Sequence, residues 1–174
     1  MSDMAPGRRI GKVMMFLAWG AGILLATRYF GAWEDRQHNP NPQPQSSHGN
    51  GYVEVRLLGN HAGHYLVDGR INGQTVTFMV DTGATQVAIP QRLAQRLELS
   101  RGQPVTLDTA NGRSQGWRTR LPSLQLGDIR LTDVPALIAP GMEGDEVLLG
   151  MSALRQLDFT QQDGTLVLRQ NTSP

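Results

Sequence analysis

The sequence predicts a small all-β, closed barrel-like domain with one or two short helices, preceded by an N-terminal transmembrane helix. Three observations carry this reading. Two-residue turn signals, Asn72-Gly73, Gly127-Asp128 and Asp163-Gly164, each separate short apolar runs. Alternation of apolar and polar residues recurs from Tyr52 almost to the C-terminus, as half-buried strands require. An uncharged run from Val13 to Thr27 lies between Arg8, Arg9 and Lys12 on one side and Arg28 on the other.

The length of 174 residues suits one folded domain with appendages. There is no cysteine, which excludes disulfides, thiolate metal sites and cysteine nucleophiles. The net charge of +1 is unevenly spread: residues 1–50 carry +2 and residues 51–174 carry −1. The folded part therefore lacks the basic face that nucleic-acid binding needs, and no nucleic-acid partner is expected.

Residues 1–9 read as a cytoplasmic N-terminus and 10–30 as the membrane anchor. The uncharged core of 15 residues is shorter than the ~20 of a full span, but snorkelling of Lys12 and Arg28 extends it. Tyr29 and Trp33 are suited to the interface, and the preceding positive charge places the N-terminus inside. This topology implies a single-pass membrane protein with its folded domain on the extracytoplasmic side. A cleavable signal peptide is the competing reading, since its basic and apolar regions follow the same order. Residues 31–50, rich in Pro, Asn and Gln, are expected to form an extended tether. His38 and His48 lie in it, without a rigid scaffold to fix metal geometry.

The domain proper is assigned to 51–170, with a tail at 171–174. Val53, Val55 and Leu57 alternate on a first strand. His64–Ile71 and Gln74–Val80 form a hairpin through Asn72-Gly73. His61 and His64, at a spacing that shares a face only on a helix, are read as solvent-facing rather than metal-binding. After Val87–Ile89, Pro90 opens a helical run from Gln91. Strands at Pro104–Thr109 and Ser114–Arg120 flank the turn Ala110-Asn111-Gly112, which is either an ordinary surface hairpin or a mobile flap. A hairpin at Leu124–Leu131 and a strand at Val134–Ala139 follow. Val147-Leu148-Leu149-Gly150 then leads into a short helix over Met151–Leu157, and a last hairpin turns at Asp163-Gly164.

One stretch carries chemistry. The apolar strand ending Phe78-Met79-Val80 runs into Asp81-Thr82-Gly83-Ala84. A strand interior disfavours Asp, and a carboxylate at the edge of a core needs hydrogen bonds to offset desolvation. Asp81 is therefore the candidate catalytic residue. The non-catalytic alternative is a β-barrel interaction or ligand-binding domain in which Asp81 merely forms a turn.

Asp-Thr-Gly-Ala after an apolar strand, a glycine-tipped hairpin, and Leu148-Leu149-Gly150 before a short helix together resemble the retropepsin-like aspartic proteases, in particular their membrane-anchored bacterial branch. The resemblance spans roughly 52–170. It implies a protease fold, a polypeptide substrate, and no cofactor or metal. It implies that Thr82, Gly83 and Ala84 support the active-site loop, that Ala110, Asn111 and Gly112 form a substrate-contacting flap tip, and that Leu148, Leu149 and Gly150 pack beneath the site. The chemistry needs two neighbouring carboxylates sharing a proton. Asp108, Asp128, Asp133, Asp145 and Asp158 all lack the strand-Asp-Thr/Ser-Gly context. The second carboxylate is therefore expected from Asp81 of another copy, in a homodimer.

Overall fold

A computed structural model describes residues 6–109 and 112–172. The chain divides into two compact units, one ending at Gln37 and the other starting at His38. The first is built on helix α1 (Pro6–His38), whose stretch Gly11–His38 is, by length and composition, long and apolar enough to cross a membrane. The helix runs past residue 30, where the anchor was expected to end. Nothing between Gly31 and His38 is a proline, and Pro40 is the first residue that would break it.

The second unit begins where the extended tether was expected, and here the structure differs from that expectation. Residues 39–49 lie against the domain as a strap. Asn41 is buried; its side chain donates to the carbonyls of Leu58 (2.9 Å) and Leu66 (2.6 Å) and accepts from the Leu58 amide (2.8 Å). Asn39 donates to Asp68 Oδ1 at 2.8 Å. Strand β1 (Ser46–Gly49) then pairs antiparallel with β2 (Tyr52–Leu58). Apolar content alone misses such a segment, because what docks it is the hydrogen-bonded side chains of Asn39 and Asn41.

From there the chain builds β3 (Leu66–Ile71) and β4 (Gln74–Val80), joined at Asn72 (φ +50°) and Gly73 (φ +83°). Next come β5 (Val87–Pro90), helix α2 (Gln91–Arg96) and β6 (Pro104–Thr109). The long strands β7 (Gly112–Leu126) and β8 (Ile129–Ala139) follow, then β9 (Glu146–Leu149) and helix α3 (Met151–Leu154). The hairpin of β10 (Asp158–Gln162) and β11 (Thr165–Asn171) ends the described part.

The larger sheet has the order β3-β4-β9-β5-β8-β7-β6, and β3 also pairs with β7, so six strands close a ring with β6 appended. The smaller sheet has the order β1-β2-β11-β10. The predominantly β, closed barrel-like class read from the sequence is what the structure contains. Inside sit Leu57, Ile71, Phe78, Ile89, Leu121 and Leu149, all essentially inaccessible. Each such side chain contributes about 1.5–3 kcal/mol by leaving water.

Strand lengths differ in one place. The sequence suggests breaks between Arg120 and Leu124 and between Leu131 and Val134, yet β7 and β8 run through them, with Leu121 opposite Val134 and Ser123 opposite Thr132. Proline interrupts a ladder only where an amide is needed, and Pro122 sits between paired positions. The two strands can thus reach from the ring out to the hairpin with β6.

Candidate active site

β9 is the organising strand of the site. It pairs in parallel with β4 (Met79 opposite Leu148, Val80 opposite Leu149) and antiparallel with β5 (Ala88 opposite Leu148). The loop that joins β4 to β5 is therefore held at both ends by one strand, and that loop is Asp81–Gln86. The Asp81 amide donates to the Leu149 carbonyl at 3.2 Å, and the Ala84 amide to the Asp81 carbonyl at 3.3 Å. These bonds fix the carboxylate at the point where the strand ends.

Gly83 donates its amide to Asp81 Oδ1 at 2.9 Å. A β-carbon at Gly83 would stand 3.1 Å from that same oxygen. Glycine thus allows the backbone to approach the carboxylate closely enough to donate. Asp81 is half-buried, and Thr82 beside it is exposed and makes no side-chain hydrogen bond with any described residue.

Beneath the loop, Gly150 leaves room for backbone. A β-carbon there would lie 2.3 Å from the Gln86 carbonyl oxygen and 2.8 Å from that of Ala84. Met151 then donates to the Ala84 carbonyl at 2.8 Å. Ser152, one residue on, donates to the Pro135 carbonyl (2.7 Å) and accepts from the Val87 amide (3.0 Å). Leu149 is buried under this assembly, whereas Leu148 is half-buried and reaches the cleft.

That cleft has a volume of about 810 Å³. Asp81, Gly83 and Ala84 form part of its lining, and Val105, Leu107, Leu137, Met142 and Leu148 make much of the rest apolar. The hairpin of β6 and β7 supplies one wall, through Leu107, Ser114 and Arg118. Of the tip positions read from the sequence, Gly112 has φ +104°, while Ala110 and Asn111 lie outside the described residues. Sequence reasoning missed Ser114, Arg118, Leu137 and Glu143 as cleft residues. Arg118 lies on the expected strand Ser114–Arg120 but had no signal of its own, and Glu143 lies in a glycine-bearing loop with no motif.

The neighbouring acids are dispersed. Asp133 pairs with Arg120, Asp128 with His48 (3.5 Å), and Asp158 accepts from Asn171 (3.0 Å). Glu143 lines the cleft, but no hydrogen bond among the described residues joins it to Asp81. A carboxylate with a lowered pKa lies on β2. Glu54, buried on β2, is held below the usual carboxylate range by a hydrogen bond from Arg169 (2.8 Å), against the opposing effect of its burial, with Arg56 (3.0 Å) assisting.

A strand-borne Asp-Thr-Gly-Ala loop, clamped by a strand that ends in Leu-Leu-Gly, points to one group of enzymes. The family described as "gag-polyprotein putative aspartyl protease" matches residues 67–156, just over half of the chain and the whole of this arrangement. The chain belongs to the retropepsin-like aspartic proteases. A retropepsin-like aspartic protease from Rickettsia conorii of known crystal structure shares the fold, with a TM-score of 0.58. It is 23% identical, and the match covers 75% of this chain and 96% of that one. A relative from a Sinorhizobium species, named as an uncharacterized protein in the cobV 5′ region, is 32% identical over 114 residues. That match covers 64% of this chain, which spans about half the length of this curated relative (49%).

Proposed function

We propose that this retropepsin-like protein is a membrane-anchored aspartic endopeptidase whose active site forms when two copies bring their Asp81 side chains together. One observation carries the reading: a single Asp-Thr-Gly in the sequence, its carboxylate bonded by the Gly83 amide and facing an apolar cleft of peptide-binding size. Half of a two-carboxylate site is present in each chain, and a two-fold axis supplies the other half.

Hydrolysis then proceeds with a water held between the two carboxyl groups, which share one proton because like charges so close cannot both ionise. The ionised Asp81 takes a proton from the water as its oxygen bonds to the scissile carbonyl carbon. The protonated Asp81 of the other copy gives its proton to the carbonyl oxygen. The tetrahedral diol collapses as the C–N bond breaks and the leaving nitrogen is protonated, giving a carboxylic acid and an amine. The Gly83 amide keeps the carboxylate oriented throughout, and Thr82, exposed in the single chain, is placed to brace its counterpart. Helix α1 holds the domain at the bacterial inner membrane, facing the periplasm, and confining copies to two dimensions favours their pairing.

The test uses the full-length chain in detergent with an unfolded protein as substrate. Cleavage by wild type, with a bell-shaped pH profile, and its loss in Asp81→Asn with an unchanged circular dichroism spectrum are expected. Co-expression of wild type with an excess of Asp81→Asn should reduce activity more steeply than the share of wild-type chains, as a shared site requires. Equal activity of Asp81→Asn and wild type would exclude the catalytic assignment.

A further inference from the structure

Three arginines gather where β7 passes the segment 98–103, and two of them are engaged. The Arg101 guanidinium stacks 4.5 Å from the centroid of the Trp117 ring, and Arg120 is paired with Asp133. Arg118 has no carboxylate within ion-pair distance among the described residues. It is nevertheless firmly placed. Its amide donates to the Gln103 carbonyl (2.9 Å), its carbonyl accepts from Gly102 (2.8 Å), and it pairs across the sheet with Leu137. Arg118 lines both the Asp81 cleft and a second cavity of about 520 Å³.

Ser114 lies four residues earlier on the same strand and hence on the same face. It lines the cleft too, and its hydroxyl is buried with no hydrogen-bond partner among the described residues. Between them Gly116 has no side chain, and Leu107 fills the gap: a β-carbon at Gly116 would stand 2.6 Å from Leu107 Cδ1. The cleft wall thus presents a hydroxyl, an apolar patch and a cation over roughly 13 Å, which an extended peptide spans in about four residues. Glu143 follows Gly141, the neighbour of Ser114, by two residues, so the two opposite charges stand at different ends of the wall.

We propose that Arg118 is a specificity-determining residue that selects polypeptide substrates carrying an Asp or Glu side chain a few residues from the scissile bond, with apolar residues between. The inference rests on the proteolytic reading above. A guanidinium with no ion-pair partner among the described residues, anchored by its backbone beside the proposed catalytic cleft, recognises a carboxylate by a charge-assisted, bidentate pair.

The full-length chain in detergent is given matched peptides that share one apolar cleavage segment and differ in a Glu, Gln or Lys two to four residues from the cut. Wild type should prefer Glu over Lys by about tenfold in kcat/KM, with Gln between, as like charges repel at the wall. Arg118→Glu should invert the order, and Arg118→Gln should bring the ratio close to one. Arg130→Glu, exposed on β8 and outside the cleft, should keep the wild-type ratio. Binding of labelled peptides to full-length Asp81→Asn, read by fluorescence anisotropy, is the second arm. An unchanged Glu-to-Lys ratio in Arg118→Gln, or equal binding of the two peptides, overturns the inference. If no peptide is cut but the Glu peptide binds tenfold tighter than the Lys peptide, the proteolytic reading fails and the role of Arg118 stands.

Discussion

The amide of Met151 donates to the carbonyl of Ala84 at 2.8 Å, tying the start of α3 to the loop that carries Asp81. This bond forms because Gly150, just before it, allows the two backbones to touch. The Asp81 loop is thus supported from below by main chain rather than by side-chain packing, and that kind of support tolerates little change.

Gly150→Ala should therefore damage the site more than its size suggests. The added methyl would meet backbone oxygens at 2.3 Å and 2.8 Å, neither of which can swing away as a flexible side chain would. A loss of about 2–3 kcal/mol in stability is expected, with peptide cleavage reduced beyond what unfolding explains. Urea denaturation and kcat/KM on the same preparation check this; a variant with wild-type midpoint and rate would show that the contact does not position the loop.

Ser152→Ala removes one hydroxyl that serves two backbone groups, the Val87 amide and the Pro135 carbonyl. Both are left unpaired, so a cost of about 2 kcal/mol follows. Hydrogen exchange at the Val87 amide should accelerate at the same time. If that amide exchanges at the wild-type rate, the bridge is not what protects β5.

Asn41→Ala should show that the strap is part of the domain. Two carbonyls and one amide lose their partner, which predicts about 2–4 kcal/mol of destabilisation. Asn41→Asp should fail to rescue, because a carboxylate cannot donate to the Leu58 and Leu66 carbonyls. A chain starting at residue 51 should melt earlier than one starting at residue 38. Equal melting temperatures for those two chains would reduce the strap to a passive tether.

Glu54 makes stability depend on pH in a defined direction. Its folded pKa is lowered, chiefly by the hydrogen bond from Arg169, so its contribution is full above the ordinary carboxylate range of the unfolded chain. The contribution is lost as pH falls through the lowered folded value. Wild type should thus melt a few degrees above Glu54→Gln near neutral pH, and the two curves should converge in acid. Thermal melts between pH 7 and about pH 2 test the sign; a gap that widens in acid would reverse it.

Much of this molecule can be read from short stretches. Asn72-Gly73 and Asp163-Gly164 demand positive φ at both positions, and the structure has +50° and +83° at the first pair and +49° and +73° at the second. Asp81-Thr82-Gly83-Ala84 announces itself because an Asp closing an apolar strand is costly unless the local backbone answers it. The strap escaped such reading, since Asn41 is docked by groups 17 and 25 residues away. So did the continuity of β7 and β8, where Pro122 happens to need no partner for the amide it lacks.

What the sequence by itself determined is the set of turns, the β class, the apolar N-terminal helix and the chemically distinctive loop, all of them preferences held within a few neighbouring residues. Tertiary structure alone decided that Gly150 meets the Gln86 carbonyl, and that Arg118 and Glu143 share a cleft with Asp81. Those relationships depend on closing a six-stranded ring, which brings together positions far apart in the chain. No local φ, ψ or hydropathy pattern encodes which of them will meet.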